Sequence, residues 1–236
     1  MNADELRRRW DERAADDARF HIRADRTDWT DEAFLASGEA DVARFADPAL
    51  ALLAGREVAL DLGCGLGRLS RALASRFDRV EAVDISPEMV QRAQELAPPP
   101  PGNVRFLLCP GDGTLPLDDG SVDFAFSYLV FQHLPGTQLV RSYVGDLARV
   151  LRPGGVGRIQ LNGRRRPLRE RLSVGVVASD RVPAVHRKLR CKVDPHDHMG
   201  AVVTSAQARR MADAAGLDLL SLDGEGTTAQ WLTLRR

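Results

Sequence analysis

The sequence predicts an α/β fold: a doubly wound, seven-stranded, mostly parallel sheet with an antiparallel last strand, preceded by an N-terminal helical segment. Three observations predict it. From Val58 onward, short apolar runs alternate with amphipathic helical stretches. The first apolar run ends in the glycine-rich turn "GCGLG", residues 63–67, which leads into a helix. Two β-rich runs after residue 216 are joined only by "DGEGTT", a link short and Gly-rich enough to make them pair antiparallel.

Residues 1–55 read as a helical lid. Leu6, Trp10, Ala14, Ala18 and Ile22 recur every four residues among charges, and Asn2 with Glu5 three later fits an N-terminal cap. A second helix through "DEAFLASGEADVARFA" is expected to close near Pro48.

Residues 56–162 carry the alternating core. "EVALDL" is an apolar strand and "LGRLSRALASRF" its helix. "RVEAVDI" is the second strand, and "SPEMVQRAQELA" the second helix, capped by Ser86 with Pro87 at its first position. "PPPPGN" turns the chain into "VRFLLC". "SVDFAFSYL", the helix "TQLVRSYVGDLARVL", the turn "RPGG" and the strand "VGRIQLN" complete this part. Strands apolar on both faces imply a parallel sheet covered by helices. Residues 163–200 break the pattern and read as an insert shaping an acceptor pocket. In 201–236 a helix starting at Thr204 or Ser205 and ending at Gly216 precedes the final strand pair, completing the core.

Bulk properties narrow the class. In 236 residues, 33 basic and 33 acidic side chains cancel, which argues against nucleic acid as a partner. No run reaches the roughly 18 apolar residues a membrane span needs. Cys64, Cys109 and Cys191 form no C-x-x-C pair, as expected of a reducing, cytoplasmic setting.

The glycine turn points to a nucleotide-like ligand, because a backbone without Cβ atoms admits close approach. Asp84 ends the next strand about 20 residues on, where an acid accepts both ribose hydroxyls. A dinucleotide fingerprint wants a third glycine where this chain has Arg68. Asp61, two residues before Gly63, would repel a pyrophosphate and suits an ammonium group. The expected ligand is a nucleoside joined to an amino acid.

These stretches resemble the class I S-adenosylmethionine-dependent methyltransferases of the small-molecule type, a Rossmann-like fold. "ALDLGCGLGRLS" is similar to their first motif and "VEAVDIS" to their ribose-binding acid motif. "CPGDGTLPLDDGSVDFAFSYLVFQHL" resembles the adenine loop with the fourth strand, and "LARVLRPGG" the turn before the fifth. The resemblance implies S-adenosyl-L-methionine as cofactor and S-adenosyl-L-homocysteine as product. It implies that Asp61 and the backbone of Gly63, Cys64 and Gly65 hold the methionine part. Asp84 would take the ribose, Ile85 and Met89 would pack on adenine, Asp112 and Gly113 would meet its ring, and Ser127 and Tyr128 would line the reactive side. For Met89, packing within its helix is the plain alternative.

His133, in "YLVFQHLP", is the candidate base for an acceptor that must lose a proton, with Tyr128 as a further polar contact. The plain alternative is that His133 packs or caps the loop. Trp29 and Phe34 are candidates to close the pocket, and Arg23 or Arg26 to meet a carboxylate. "NGRRRPLRER" is a basic run, and "KVDPHDHMG" gathers Asp194, His196, Asp197 and His198. No third ligand set accompanies that cluster, so it reads with His186 as an acceptor contact, with no metal assigned. The expected activity is methyl transfer to an O, N or S of a small-molecule acceptor, natural products among them, by a monomer or homodimer. Non-methyl transfer or cyclisation on the same cofactor, and a non-catalytic cofactor-binding protein, are the alternatives.

Overall fold

The computed structural model describes residues 1–164 and 200–236. Helix α1, Ala3–Ile22, starts as expected: Asn2 Oδ1 accepts from the Glu5 amide at 2.9 Å. It breaks at Asp17, whose φ of −151° and ψ of 82° are not helical. Asp17 Oδ1 accepts from the Phe20 amide at 3.2 Å, so Asp17 caps a separate last turn. Helix α2, Asp31–Asp41, is followed by a π-helical turn, Val42–Ala46, and by the short α3, Asp47–Leu50. Pro48 therefore sits in the first turn of a helix, where it lacks no partner, instead of closing one.

The core runs β1 Val58–Leu62, α4 Arg68–Leu73, β2 Arg79–Asp84, α5 Pro87–Glu95, β3 Val104–Leu108 and β4 Val122–Ser127. Then come α6 Thr137–Val150, β5 Leu151–Leu161, α7 Ser205–Ala214, β6 Asp218–Asp223 and β7 Gln230–Arg235. Helix α4 is shorter than its periodicity suggested. Strand β5 is longer: "RPGG" lies within it, because Leu151 already pairs with Val122 ahead of a register shift. Ser86 caps α5 through the Met89 amide, and Thr204 with Gln207 forms a capping box on α7.

The strands form one sheet in the order β3-β2-β1-β4-β5-β7-β6. The first five are parallel, and β7 runs antiparallel to both β5 and β6. Every residue of β1 and β4 is buried, as both-face cover requires. On one face Leu60, Ala125, Ile159 and Leu161 pack with Val144 and Leu147 of α6 and Ala208 of α7. On the other, Ala59, Phe124, Phe126 and Val156 pack with Leu69 and Leu73 of α4 and with Val42 and Ala46 of the π-helical turn. The order reverses between β1 and β4: β2 and β3 lie on one side, β5 on the other. In open α/β sheets the crevice at that reversal, at the carboxyl ends of the strands, is where ligands bind.

Candidate active site

A cavity occupies that crevice. The strand ends contribute Gly63, Gly65, Asp84 and Ile85, and the segment after β4 contributes Tyr128, Val130 and His133. The roof is helix α1, through Leu6, Trp10, His21 and Ile22. The cavity measures about 80 Å³, the room of roughly six waters.

The glycine turn is built from its own backbone. The amides of Gly63 and Cys64 both donate to the Val83 carbonyl, at 2.7 and 3.0 Å, and Gly67 N donates to Cys64 O at 2.8 Å. The Gly65 amide donates to Asp84 Oδ2 at 2.8 Å. What this loop's backbone offers a ligand is therefore its carbonyls, which suit an ammonium donor. Gly67 caps α4 at φ 75°, and a Cβ there would stand 2.9 Å from the Phe106 ring. Only glycine meets both demands. A Cβ on Gly65 would stand 2.7 Å from Ile22 Cδ1, so the bare face of that residue is covered by α1.

The two acids sit in different environments. Asp61 is fully buried; its Oδ2 accepts from Ser70 Oγ of α4 at 2.6 Å, and Oδ1 is a buried acceptor without a partner. Burial raises its carboxyl to about 6, against the opposing pull of the Ser70 hydroxyl and Arg68. An unpartnered buried carboxylate oxygen beside a turn of carbonyls fits an amino group. Asp84 holds the Ser86 amide on Oδ1 at 2.9 Å and Gly65 on Oδ2. Burial raises it too, while those amides favour the charged form. Each oxygen keeps a second lone pair for a hydroxyl at the cavity wall.

After β4 the chain turns sharply. Leu129 has φ 63°, and its amide donates to Gln160 Oε1 of β5 at 2.9 Å. A leucine in the left-handed region is strained, and the turn presents Tyr128, Leu129 and Val130 to the cavity. His133 ends a single 3-10 turn, Phe131–His133. Its ring stands edge-on to Trp10 at 5.2 Å, and its Nε2 lies 3.2 Å from Gln132 Nε2.

The cavity thus brings together Gly63, Gly65, Asp84, Ile85, Met89, Tyr128 and His133. Asp61, Cys64 and Ser127 are buried just outside its lining; Ser127 Oγ donates to Leu62 O at 2.8 Å. Asp112 is exposed, and its Oδ1 accepts from the amide and hydroxyl of Thr114 at 2.9 and 2.7 Å. Gly113 packs on Ser142 of α6. Neither lines the cavity. Trp29 and Phe34 do not line it either: their rings meet edge-on at 5.8 Å in a cluster with Ala14 and Leu66, behind the lining residues Trp10, Ile22 and Met89. Arg23 pairs with Asp25 and Asp41, and Arg26 with Asp28. Cys191, His186 and the 194–198 cluster lie outside the described residues, as does most of "NGRRRPLRER". Among the described residues no group of three or more metal-ligating side chains occurs, and no helix is long and apolar enough to cross a membrane.

Sequence reasoning missed His21, which lines the roof and pairs with Asp16 at 3.3 Å. The signal was local: Asp17 three residues before Phe20 is a cap pattern, and it shifts the helix face that follows. Cys109 and Tyr143 of the floor were missed as well; burial raises the Cys109 thiol to about 11.

Residues 60–159 match the family model described as a methyltransferase domain. The 2-methyl-6-phytyl-1,4-hydroquinone methyltransferase of Synechocystis sp. is 37% identical over 99 residues, 41% of this chain and 29% of that protein. The malonyl-[acyl-carrier protein] O-methyltransferase of Salmonella typhimurium is 38% identical over 113 residues, 47% of this chain and 42% of that one. The chain thus matches less than half the length of these curated relatives. Among solved structures, magnesium protoporphyrin IX methyltransferase from Synechocystis PCC 6803 with bound SAH superposes with a TM-score of 0.62 at 17% identity, over 100% of both chains. Residues 60–159 are thus similar to a methyltransferase domain, and the fold is the one seen in solved S-adenosylmethionine-dependent methyltransferases.

Proposed function

We propose that this chain binds S-adenosyl-L-methionine in the crevice between β1 and β4 and transfers its methyl group to an O, N or S of a small-molecule acceptor. The observation that carries the reading is the pair of buried acids at adjacent strand ends around the glycine turn: Asp61 with an unpartnered oxygen, Asp84 at the cavity wall. They match the charge of an amino group and the hydroxyl pair of a ribose.

In this reading Asp61 and the carbonyls of residues 63–65 hold the amino-acid end. Asp84 holds the ribose, with Ile85 and Met89 against the base. Asp112, whose Oδ1 accepts from Thr114, would accept the adenine amino group on Oδ2, with the Gly113 amide beside the ring. Ser127 braces the end of β4 through Leu62 O, and Tyr128 faces the reacting region. When bound, the cofactor supplies a sulfonium-activated methyl group. The protein's task is then to hold an acceptor in line and keep water out. The apolar roof of Leu6, Trp10 and Ile22 serves the second need. His133, which lines the cavity beside Trp10, would take the proton from a hydroxyl, amine or thiol. We place the protein in the cytoplasm, as a monomer or homodimer.

Calorimetry with S-adenosylhomocysteine tests the cofactor. Binding to the native chain and a loss of about 100-fold or more in Asp84→Ala is expected, since a ligand's hydroxyls and the Gly65 amide both lose a charged acceptor. No binding to the native chain would refute the reading. Incubation with methyl-labelled cofactor and candidate acceptors then identifies the product.

A further inference from the structure

The glycine turn offers its bare face to the cavity at Gly65, and Ile22 covers that face: a Cβ on Gly65 would stand 2.7 Å from Ile22 Cδ1. A ligand that reaches the turn there must displace Ile22, so the residue in the way belongs to the last turn of α1.

That turn is separable from the rest of the helix. The first part of α1 is fastened to the core: Asp11 Oδ1 accepts from Ser86 Oγ at 2.5 Å and from the Glu88 amide at 3.3 Å, and Arg7 donates to the carbonyls of Ile85 and Pro110. The break at Asp17 then gives residues 18–22 their own cap. On its far side, this turn is bolted to α2. Arg19 pairs with Asp31 at the start of α2, and Arg23 pairs with Asp41 at its end. Helix α2 is itself closely packed on the core: at Gly38 it lies so near the Arg68 carbonyl that no Cβ would fit, and Phe34 is fully buried.

The Arg23–Asp41 pair has an unusual property. Asp41 is 6% exposed, and a buried carboxylate that loses its partner is heavily penalised. Asp41 does not face that penalty, because Arg68 Nη1 also donates to its Oδ2 at 2.6 Å. Arg23 in turn keeps Asp25, on its own segment, at 3.1 Å. Both partners stay paired when they separate. We infer that residues 18–22 are the gate of the cofactor site, that Ile22 is its plug on the glycine turn, and that Arg23–Asp41 is its latch. The inference rests on the proposed cofactor reading.

The test is stopped-flow tryptophan fluorescence on the full chain with S-adenosylhomocysteine as probe, Trp10 of the roof reporting. A gate that opens before binding makes the observed rate level off as probe concentration rises. Arg23→Gln is expected to raise that plateau about fivefold, the scale of a partly exposed ion pair; Arg23→Lys restores it. Ile22→Ala is expected to raise it as well, and Ile22→Val gives the same comparison with less loss of packing. A native rate rising linearly with concentration, or a plateau unmoved in folded Arg23→Gln, overturns the gate and leaves the cofactor reading standing. Calorimetry showing no binding by the native chain overturns both.

Discussion

The glycine turn and the helical roof both bound the same cavity, yet they are held by different kinds of interaction. The turn is fastened by backbone amides to Val83 O, Cys64 O and Asp84, all within the sheet's own strand ends. The roof is fastened by side chains: Asp11 on Ser86, Arg7 on two carbonyls, Arg19 and Arg23 on α2. Backbone bonds inside a buried turn break only with the fold. Side-chain pairs at a half-exposed seam open with small local changes. One wall is a fixed template and the other a cover.

That contrast is broken most forcefully at the turn. Gly67→Val is expected to lower unfolding free energy by about 2–4 kcal/mol, combining a left-handed backbone with a clash against a ring; urea denaturation measures it. A loss under 0.5 kcal/mol would mean the turn is as adaptable as the roof.

The next effect is read by pH. Asp61 titrates near 6 in the fold against an ordinary 3.8, so the folded state holds its proton more tightly than the unfolded state. The stability this confers is fully present below about 3.8 and is lost as pH rises through about 6, roughly 2–3 kcal/mol in all. Asp84 is shifted in the same direction, so Asp61→Asn should remove only part of that fall in unfolding free energy. Binding of an ammonium group works oppositely: affinity for S-adenosylhomocysteine should rise with pH through the same window, and flatten in Asp61→Asn.

The smallest effect belongs to the roof. Asp11→Ala removes the acceptor of Ser86 Oγ and the Glu88 amide and should lower global stability by about 1 kcal/mol. Amide exchange over residues 3–16 should accelerate more than over β1 or β4. Equal acceleration in both would mean that roof and template unfold as one unit.

The template was legible in the sequence because its determinants are local. Apolar runs, the Gly63–Gly67 turn, the Ser86 cap and the Thr204 box each declare themselves within a few residues, and the strand ends bring Asp61 and Asp84 together by topology alone. The cover was legible as a helical lid but not in its docking, which is set by distant partners. The periodic stripe on α1 identified Leu6, Trp10 and Ile22 as one face without showing that this face meets the cavity, while the expected pair Trp29 and Phe34 packs behind it, in one cluster with Met89, Trp10 and Ile22. The π-helical turn at 42–46 has no periodic signature. Asp112 shows the same limit: its residue type suits a nucleobase contact, but it stands exposed beyond the cavity lining, with Oδ1 turned to Thr114.

The position of β7 has a consequence for how the chain is made. It follows β6 in sequence but lies between β5 and β6 in space. From the synthesis of Leu161 until that of Arg235, about 70 residues later, the edge of β5 lacks its native partner β7, and β6 emerges before the strand it must pair with. At 5–20 residues per second that interval lasts about 4–15 s. For that time a row of unpaired backbone N–H and C=O groups stands open on the ribosome, and a chaperone or a neighbouring nascent chain can reach it before the protein's own β7 does.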